Sequence, residues 1–141
     1  MQKIRFKKLA IDAKDPFQAT PGSAAFDLFV NSHQFHNEMV EYNSGLAFEI
    51  PHNFVGLLFA RSSISKSGLY LANGVGVIDS DYRGPIIGRF QKTRQNISLY
   101  HVGERFAQII FLPHPKIVLE EIAELSETLR GANGFGSTGL A

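Results

Sequence analysis

The segment between Asn73 and Ile86 (NGVGVIDSDYRGPI) carries residue types that are suited to hydrolytic chemistry. A short apolar stretch ends at Asp79, whose carboxylate, in a partly dry environment, is suited to activating a water molecule. Tyr82 follows in the same segment, and its ring is suited to stacking on a sugar or a base. Residues 81–84 are also typical of an ordinary hairpin turn, which the local pattern alone favours. The local pattern therefore leaves a catalytic turn and a purely structural turn both open.

A second polar segment, Arg61-Ser62-Ser63, directly follows the apolar run FVGLLFA. A strand that leads into a helix start offers free backbone N–H groups and the positive end of the helix dipole, which together favour anions. Arg61 adds a donor that can bind phosphate through two hydrogen bonds, and the hydroxyls add further donors. A helix N-cap beside an exposed arginine explains the same three residues, so both interpretations stand.

Two further segments have a structural and a functional interpretation. Asp27, in the segment Pro21–Leu28 (PGSAAFDL), is suited to turn chemistry, or to holding Mg²⁺ directly or through water. The stretch Arg130–Gly139 (RGANGFGSTG) is rich in glycine around one aromatic residue. Such a stretch is expected to be mobile, either as a frayed end or as a lid that closes over a ligand.

The composition restricts the class of protein. The 141 residues, 44% hydrophobic and 19% charged, indicate one globular domain. A formal charge of +1 gives no general attraction to nucleic acid or to anionic membranes. There is no cysteine for a disulfide or thiolate site, and there is neither a signal-peptide pattern nor a long apolar span. We therefore expect a soluble, cytoplasmic protein that binds neither nucleic acid nor membranes.

The apolar residues alternate with a period of two, as expected for half-buried strands. The run Phe54–Ala60 is continuous, which predicts a strand buried on both faces. One short helix is predicted over Ser62–Ser67, ending at Gly68, with another helical turn at Ser126–Leu129. Many short strands separated by turn residues predict an all-β sandwich, barrel or jelly roll. The strands are predicted at Leu46–Ile50, Phe54–Ala60, Gly74–Ile78, Ile86–Phe90, Ile97–Val102, Phe106–Leu112 and Ile117–Ile122.

Taken in order, five segments resemble the five motifs of the trimeric dUTPase family. The third motif (GVIDSDYRG) is the most specific. The resemblance implies an all-β jelly-roll or distorted-barrel protomer with one short helix. It divides the chain into a β domain, 1–129, and a flexible glycine-rich lid, 130–141. It also implies a homotrimer with active sites shared between subunits. The matching segments are Pro21–Leu28, Ala60–Ser63 with Gly68–Leu69, Asn73–Ile86, Gly103–Phe111 and Arg130–Gly139.

The resemblance implies hydrolysis of dUTP to dUMP and pyrophosphate with Mg²⁺. Asp79 matches the carboxylate that activates the attacking water. Tyr82 matches the ring that packs on the deoxyribose and excludes a 2′-hydroxyl. Asn73 and the backbone of the same hairpin, including Gly76, match the groups that read the uracil edge. Asp27 is expected to meet Mg²⁺ through water.

The same resemblance assigns the remaining binding residues to phosphates and to the lid. Arg61, Ser62, Ser63 and Gln108 would hold phosphates. Arg130 would lie near the γ-phosphate and Phe135 over the uracil, with Gly136, Ser137 and Thr138 as further lid residues. The sequence departs from the family pattern at several positions, among them Ala25 and Phe26 in the first motif, Pro85 after the turn and Asn133 in the lid.

Two other functions are compatible with the same fold. A dCTP deaminase shares it, but that family lacks the D-x-D-Y-R-G turn found at 79–84. A regulatory binding protein on the dUTPase fold would be expected to lack Asp79 or the lid, and both are present. The segment Asn31–Tyr42 is the least motif-like and is compatible with a partner surface or with an ordinary surface loop and strand.

Overall fold

The computed structural model describes residues 2–134, and all structural statements below concern that part of the chain. It consists of antiparallel strands and one short helix, which confirms the all-β prediction. No described helix is long and apolar enough to cross a membrane. In chain order the elements are β1 (Arg5–Lys8), β2 (Phe26–Phe29), β3 (Ser32–His36), β4 (Met39–Asn43), β5 (Leu46–Glu49), β6 (Phe54–Ala60), α1 (Ile64–Ser67), β7 (Leu69–Leu71), β8 (Gly76–Ile78), β9 (Ile87–Lys92) and β10 (Arg105–Pro113).

Two four-stranded sheets and a two-stranded sheet contain these strands. The first sheet has the order β2-β10-β6-β8, the second β3-β4-β9-β7, and β1 pairs with β5. Buried side chains from both larger sheets form one core cluster, for example Leu58 and Ile109 from the first and Val40 and Phe90 from the second. The architecture is therefore a sandwich, and the described strands form no closed barrel.

The core contains a cluster of aromatic rings. Tyr42, Phe90 and Phe106 are fully buried, and their ring centroids lie 5.6–6.2 Å apart. Tyr100 packs edge-on against Tyr42 at 5.5 Å, and its backbone N–H donates to the Tyr42 hydroxyl over 3.0 Å. Burial raises the pKa of the Tyr42 hydroxyl. Edge-to-face aromatic contacts of this kind add to the area that the rings bury.

Helix α1 is shorter than predicted at its start but ends where predicted. Ser63 is the N-cap residue, without a side-chain capping bond, and Gly68 ends the helix at φ 73°. Because a four-residue helix is not stable alone, its last carbonyls need external donors. The loop after β9 supplies them: the Thr93 amide donates to Gly68 O over 2.9 Å and the Ser98 amide to Ser67 O over 2.7 Å.

Three predicted elements are wrong. Residues 97–102 form no strand, because their amides bind the end of α1 and the Tyr42 hydroxyl instead of a neighbouring strand. Residues 117–122 and 126–129 have no regular structure, and the large apolar side chains at 117–119 are exposed. The turn at 79–86 is also not a hairpin, since β8 and β9 belong to different sheets. Strands β1, β2, β3, β4 and β7 were not predicted as such.

Strand β6 is the central strand that was predicted to be buried on both faces. Within one chain only one face is buried: Gly56 and Leu58 face the core, whereas Val55, Leu57 and Phe59 are only half-buried. The sequence of β6 therefore provides a second apolar face that the protomer does not itself cover.

Replacing Phe106 by alanine is expected to lower the free energy of unfolding by about 3–5 kcal/mol, because it leaves a cavity where a fully buried ring stood. Phe35, 51% exposed on the edge strand β3, provides the matched control. Phe35→Ala should change the same quantity by no more than about 0.5 kcal/mol. Urea unfolding at one fixed protein concentration measures both, and equal effects of the two substitutions would contradict this description of the core.

Candidate active site

A cavity of about 380 Å³ brings together three of the segments that the sequence singled out. Asp27 comes from the first segment, Arg61 and Ser62 from the second, and Gln108 from the fourth. Because Arg61, Ser62 and Gln108 are predicted to bind phosphate, we call this the phosphate cavity, a name that records the prediction. Its lining consists of Ala19, Ser23, Ala24, Ala25, Asp27, Arg61, Ser62, Gln108 and Ile110.

The position of β10 between β2 and β6 explains why distant parts of the sequence meet there. Gln108 lies opposite Asp27 on one side and opposite Phe59 on the other. Since paired residues of antiparallel strands point to the same face, the side chains of Asp27 and Gln108 share the outer face of the sheet. Arg61 directly follows the end of β6 and so reaches the same place. The Gln108 side-chain amide donates to Ala60 O over 3.0 Å.

The Asp27 carboxylate is buried between two arginines. Arg61 Nε donates to Asp27 Oδ1 over 3.1 Å, and Arg105 Nη1 donates to Asp27 Oδ2 over 2.9 Å. A buried carboxylate is stable only when its charge is paired in this way. The arrangement leaves one net positive charge on the three side chains, which favours an anion in the adjoining cavity.

Arg105 was not among the site residues predicted from the sequence. It reaches Asp27 because β10 has an irregularity: the register shifts between Arg105 and Ala107. This extra residue keeps Phe106 and Ala107 buried and turns Arg105 to the outer face with Asp27. The only sequence signal was a basic residue within the fourth segment, and strand alternation alone would have placed it on the core face with Ala107.

Most of the positive charge near the start of α1 comes from the Arg61 side chain. The helix has only four residues, so its dipole adds little, and Ser63 makes no capping bond. Ser62 lines the phosphate cavity, whereas Ser63 lines a neighbouring cavity of about 490 Å³. The main positive group beside the predicted anion site is therefore a guanidinium rather than a helix end.

The turn after β8 has a well-defined conformation. The Tyr82 amide donates to Asp79 O over 3.1 Å, and the Tyr82 hydroxyl donates to Pro85 O over 3.0 Å. The ring folds back over Gly84, where a Cβ atom would lie only 2.4 Å from the Tyr82 hydroxyl. Only glycine at position 84 therefore allows this ring position. Asp79 and Tyr82 are exposed in the single chain, contrary to the partly dry position expected for Asp79.

The pairing of β6 with β8 separates this turn from the phosphate cavity. Gly56 lies opposite Ile78 and Leu58 opposite Gly76. The same register places Asp79 near Val55, six residues before Arg61, which corresponds to about 20 Å along a strand. Within one chain, Asp79 and Tyr82 therefore cannot act on a group held by Arg61. Asn73, in the turn before β8, lies towards the Arg61 end by the same register.

The predicted lid is described only at its start. Arg130 Nε donates to Asn133 O over 3.0 Å, and the described contacts of Arg130 do not include a residue of the phosphate cavity. Phe135, Gly136, Ser137 and Thr138 lie outside the described residues.

Similarity to known proteins establishes the family of this chain. A model of the dUTPase family matches residues 12–139. The deoxyuridine 5'-triphosphate nucleotidohydrolase of Desulfitobacterium hafniense is 43% identical over 148 residues, covering 99% of this chain and 96% of that protein. The protein of the same name from Hydrogenobaculum sp. is 37% identical over 144 residues, covering 98% of this chain and 99% of that protein. The chain belongs to the dUTPase family.

Solved structures of dUTPases have the same fold. The dUTPase of Staphylococcus bacteriophage 80alpha with dUpNHpp has a TM-score of 0.86 at 24% identity, over 99% of this chain and 100% of that one. A dUTPase from phage phi11 of S. aureus, whose structure shows a structural Mg(II) ion, has a TM-score of 0.76 at 20% identity, over 87% of this chain and 98% of that one. The fold of this dUTPase-family chain is therefore the jelly roll, as predicted.

Asp27→Asn is expected to lower the free energy of unfolding by about 3 kcal/mol, because it removes the only charge that separates two arginines at a buried position. The control is Glu41→Gln, which breaks the 2.8 Å ion pair with the exposed Arg89 in the other sheet. That change should cost less than about 1 kcal/mol. Urea unfolding at neutral pH and fixed protein concentration measures both. An Asp27→Asn loss as small as that of the control would show that the pairing is not structurally important.

Proposed function

We propose that this protein hydrolyses dUTP to dUMP and pyrophosphate, with Mg²⁺, at sites assembled between the subunits of a homotrimer. Membership of the dUTPase family supports the reaction. The observation that carries the shared site is the separation of Asp79 from the phosphate cavity within one chain. Two chains can supply the two halves of a site that one chain holds apart.

Asp79 is the proposed general base. Its carboxylate accepts a proton from a water molecule that attacks the α-phosphorus, and the bond from that phosphorus to the bridging oxygen breaks as pyrophosphate leaves. An exposed carboxylate at the end of β8 is accessible to a neighbouring subunit's phosphate cavity. The reaction needs mainly positioning and charge neutralisation, so no covalent nucleophile is required.

Tyr82 is the proposed sugar-reading residue. The ring is held over Gly84 by the bond from its hydroxyl to Pro85 O, which presents a fixed flat surface to a deoxyribose. A 2′-hydroxyl would then meet the ring. Asn73 and the backbone near Gly76 would read the uracil edge, where cytosine presents a donor instead of an acceptor at the 4-position.

Arg61, Ser62, Ser63 and Gln108 are the proposed phosphate ligands. The Arg61 side chain already makes two hydrogen bonds in the protein and that of Gln108 makes one, which holds both side chains beside the phosphate cavity. Arg130, Phe135, Gly136, Ser137 and Thr138 are proposed to close over the bound nucleotide. Closure of a glycine-rich segment excludes solvent water from the reacting phosphate.

The phosphate cavity fits Mg²⁺ only through water. Both oxygens of Asp27 accept hydrogen bonds from arginine, and two guanidinium groups stand where a directly bound cation would be repelled. Each carboxylate oxygen retains a further lone pair that can accept from a metal-bound water. When bound, Mg²⁺ would neutralise charge on the triphosphate, and Asp27 would orient its waters.

An uncovered apolar face supports assembly. The outer face of the sheet β2-β10-β6-β8 presents Leu57, Ile110 and Leu112, and the 63% exposed Val77 lies beside them. Apolar patches of this kind mark protein–protein interfaces. Ile110 and Gln108 of the phosphate cavity lie on this same face, so association through it would place another chain beside the cavity.

The C-terminal arm, residues 114–134, gives a second argument for assembly. Its large apolar side chains at 117–119, 125 and 129 are at least 74% exposed on their own chain. The arm is acidic at 120, 121, 124 and 127, whereas β1 is basic at 5, 7 and 8. Beside β1 lies an apolar cavity of about 430 Å³ lined by five phenylalanines. We infer that the arm packs on another subunit and carries the lid to that subunit's site.

The purified protein with Mg²⁺ should release pyrophosphate from dUTP and not from dCTP, dTTP or UTP, and chelation of the metal should stop the reaction. Asp79→Asn should lower kcat by about 100-fold or more, because general-base catalysis typically contributes that much. Coupled pyrophosphate detection measures the rates. Ammonia released from dCTP would indicate a deaminase instead, and a folded trimer that converts no nucleotide would indicate a binding protein.

Mixed trimers test the shared site. Asp79→Asn and Arg61→Met are each expected to be nearly inactive alone. Co-refolding equal amounts of the two should restore clear activity, because some interfaces then combine an intact Asp79 turn with an intact phosphate cavity from another chain. Mixtures of Asp79→Asn with wild type, assembled in the same way, calibrate the exchange of subunits. Failure to recover activity despite proven exchange would mean that both groups act within one chain.

A further inference from the structure

Arg105 lies outside the phosphate cavity but binds the carboxylate that holds Arg61. We propose that Arg105 is a positioning residue for the triphosphate: through Asp27 it fixes the Arg61 guanidinium and keeps its positive charge available. The inference rests on the proposed hydrolysis of dUTP at this site. Arg105 should therefore affect binding of the phosphates and not binding of the nucleoside.

The described side-chain hydrogen bonds of Arg61 lead to Asp27 and to the backbone of Arg105. Arg61 Nε is bound by Asp27 Oδ1 at 3.1 Å, and Arg61 Nη1 lies 3.5 Å from the carbonyl oxygen of Arg105. Asp27 Oδ2 is in turn bound by Arg105 Nη1 at 2.9 Å. The Arg61 fork is therefore oriented by the Asp27 carboxylate, which the Arg105 side chain binds, and by the backbone carbonyl of residue 105.

Arg105 has a second contact besides Asp27. Its guanidinium lies over the Phe17 ring, 5.5 Å from the centroid. The backbone of Phe17 pairs with that of Asp27 in both directions, over 3.0 and 2.8 Å. The Phe17 ring also packs against Phe29 at 6.3 Å. These contacts form a closed circuit through residues 17, 27 and 105, so the Arg105 side chain has little freedom to move away from the carboxylate.

The irregularity in β10 is what makes this contact possible. Without the register shift between Arg105 and Ala107, residue 105 would share the core face with Ala107. The shift instead places Arg105 on the outer face, opposite Phe29 and beside Asp27. Bulges frequently redirect a side chain next to a functional site. The cost of interrupting the ladder is balanced here by a contact that supports the phosphate cavity.

Charge explains why two arginines are needed. With Arg61 alone, Asp27 would form a neutral pair and would compete with the substrate for the guanidinium. The second arginine satisfies the carboxylate, so that the group of three keeps a net positive charge. A triphosphate should respond to that charge much more strongly than a monophosphate, because it carries more negative charge into the same cavity.

The test compares Arg105→Met with Arg105→Lys, and with Arg89→Met as the matched control, since Arg89 makes a comparable ion pair with Glu41 far from the cavity. Arg105→Met should raise both the KM for dUTP and the Kd for the analogue dUpNHpp by about tenfold, equivalent to about 1.4 kcal/mol. The Kd for dUMP should stay within about twofold of its wild-type value, and so should kcat, well below that tenfold change. Arg105→Lys should recover most of the triphosphate affinity, and Arg89→Met should match wild type.

Steady-state kinetics and isothermal titration calorimetry on the assembled protein give these values. Equal losses for dUMP and dUpNHpp, no loss for either, or a fall in kcat with unchanged KM would each overturn the proposal. If Arg105→Met does not assemble, Arg105→Gln, which keeps a donor but no charge, is compared with Arg105→Lys by the same criterion. Wild-type protein without dUTP hydrolysis would overturn the proposed function instead, and this outcome is distinguishable from the others.

Discussion

The double pairing of β10, with β2 on one side and β6 on the other, is the constraint on which the site depends. It brings Asp27 and Arg61, which directly follows β6, to opposite sides of one strand, although they are 34 residues apart in sequence. Buried ion pairs contribute little net stability when their desolvation is counted, but leaving one partner alone is costly. The carboxylate therefore fixes the position of two arginines more than it adds stability, and the arginines define the charge of the cavity.

The same sheet explains why Asp79 and Tyr82 are separated from Arg61 within one chain. β8 runs antiparallel to β6, so the residues at its two ends are directed to opposite ends of β6. The turn that carries Asp79 and Tyr82 leaves the sheet at the end away from Arg61. No local rearrangement of a side chain spans six residues of strand. In the proposed trimer, the second half of each site comes from another chain. A single folded protomer therefore does not contain a complete site.

The sequence predicted the elements whose burial pattern is strictly local. Alternating apolar residues predicted β5, β9 and β10, because every second side chain of such a strand faces the core. The continuous apolar run predicted β6. Alternation at 97–102 and 117–122 wrongly predicted strands, because it shows which side chains are apolar and not whether a neighbouring strand exists. Motif resemblance identified Asp27, Arg61 and Gln108, which the fold brings together. It implied sites shared between subunits, but the distance between Asp79 and Arg61 within one chain depends on strand register, and the position of Arg105 depends on a bulge.

The uncovered apolar surfaces of the protomer lie beside the residues of the candidate site. Leu57, Ile110 and Leu112 face outward beside the phosphate cavity, and the arm leaves its own chain with its apolar residues exposed. In the proposed trimer, a chain of this size would gain stability by burying those surfaces against other copies. The contacts that bury them are also those that would bring the Asp79 turn to another chain's arginines. In the proposed trimer, selection for a stable assembly and selection for a complete active site therefore act on the same residues, and the outer face of β6 serves both.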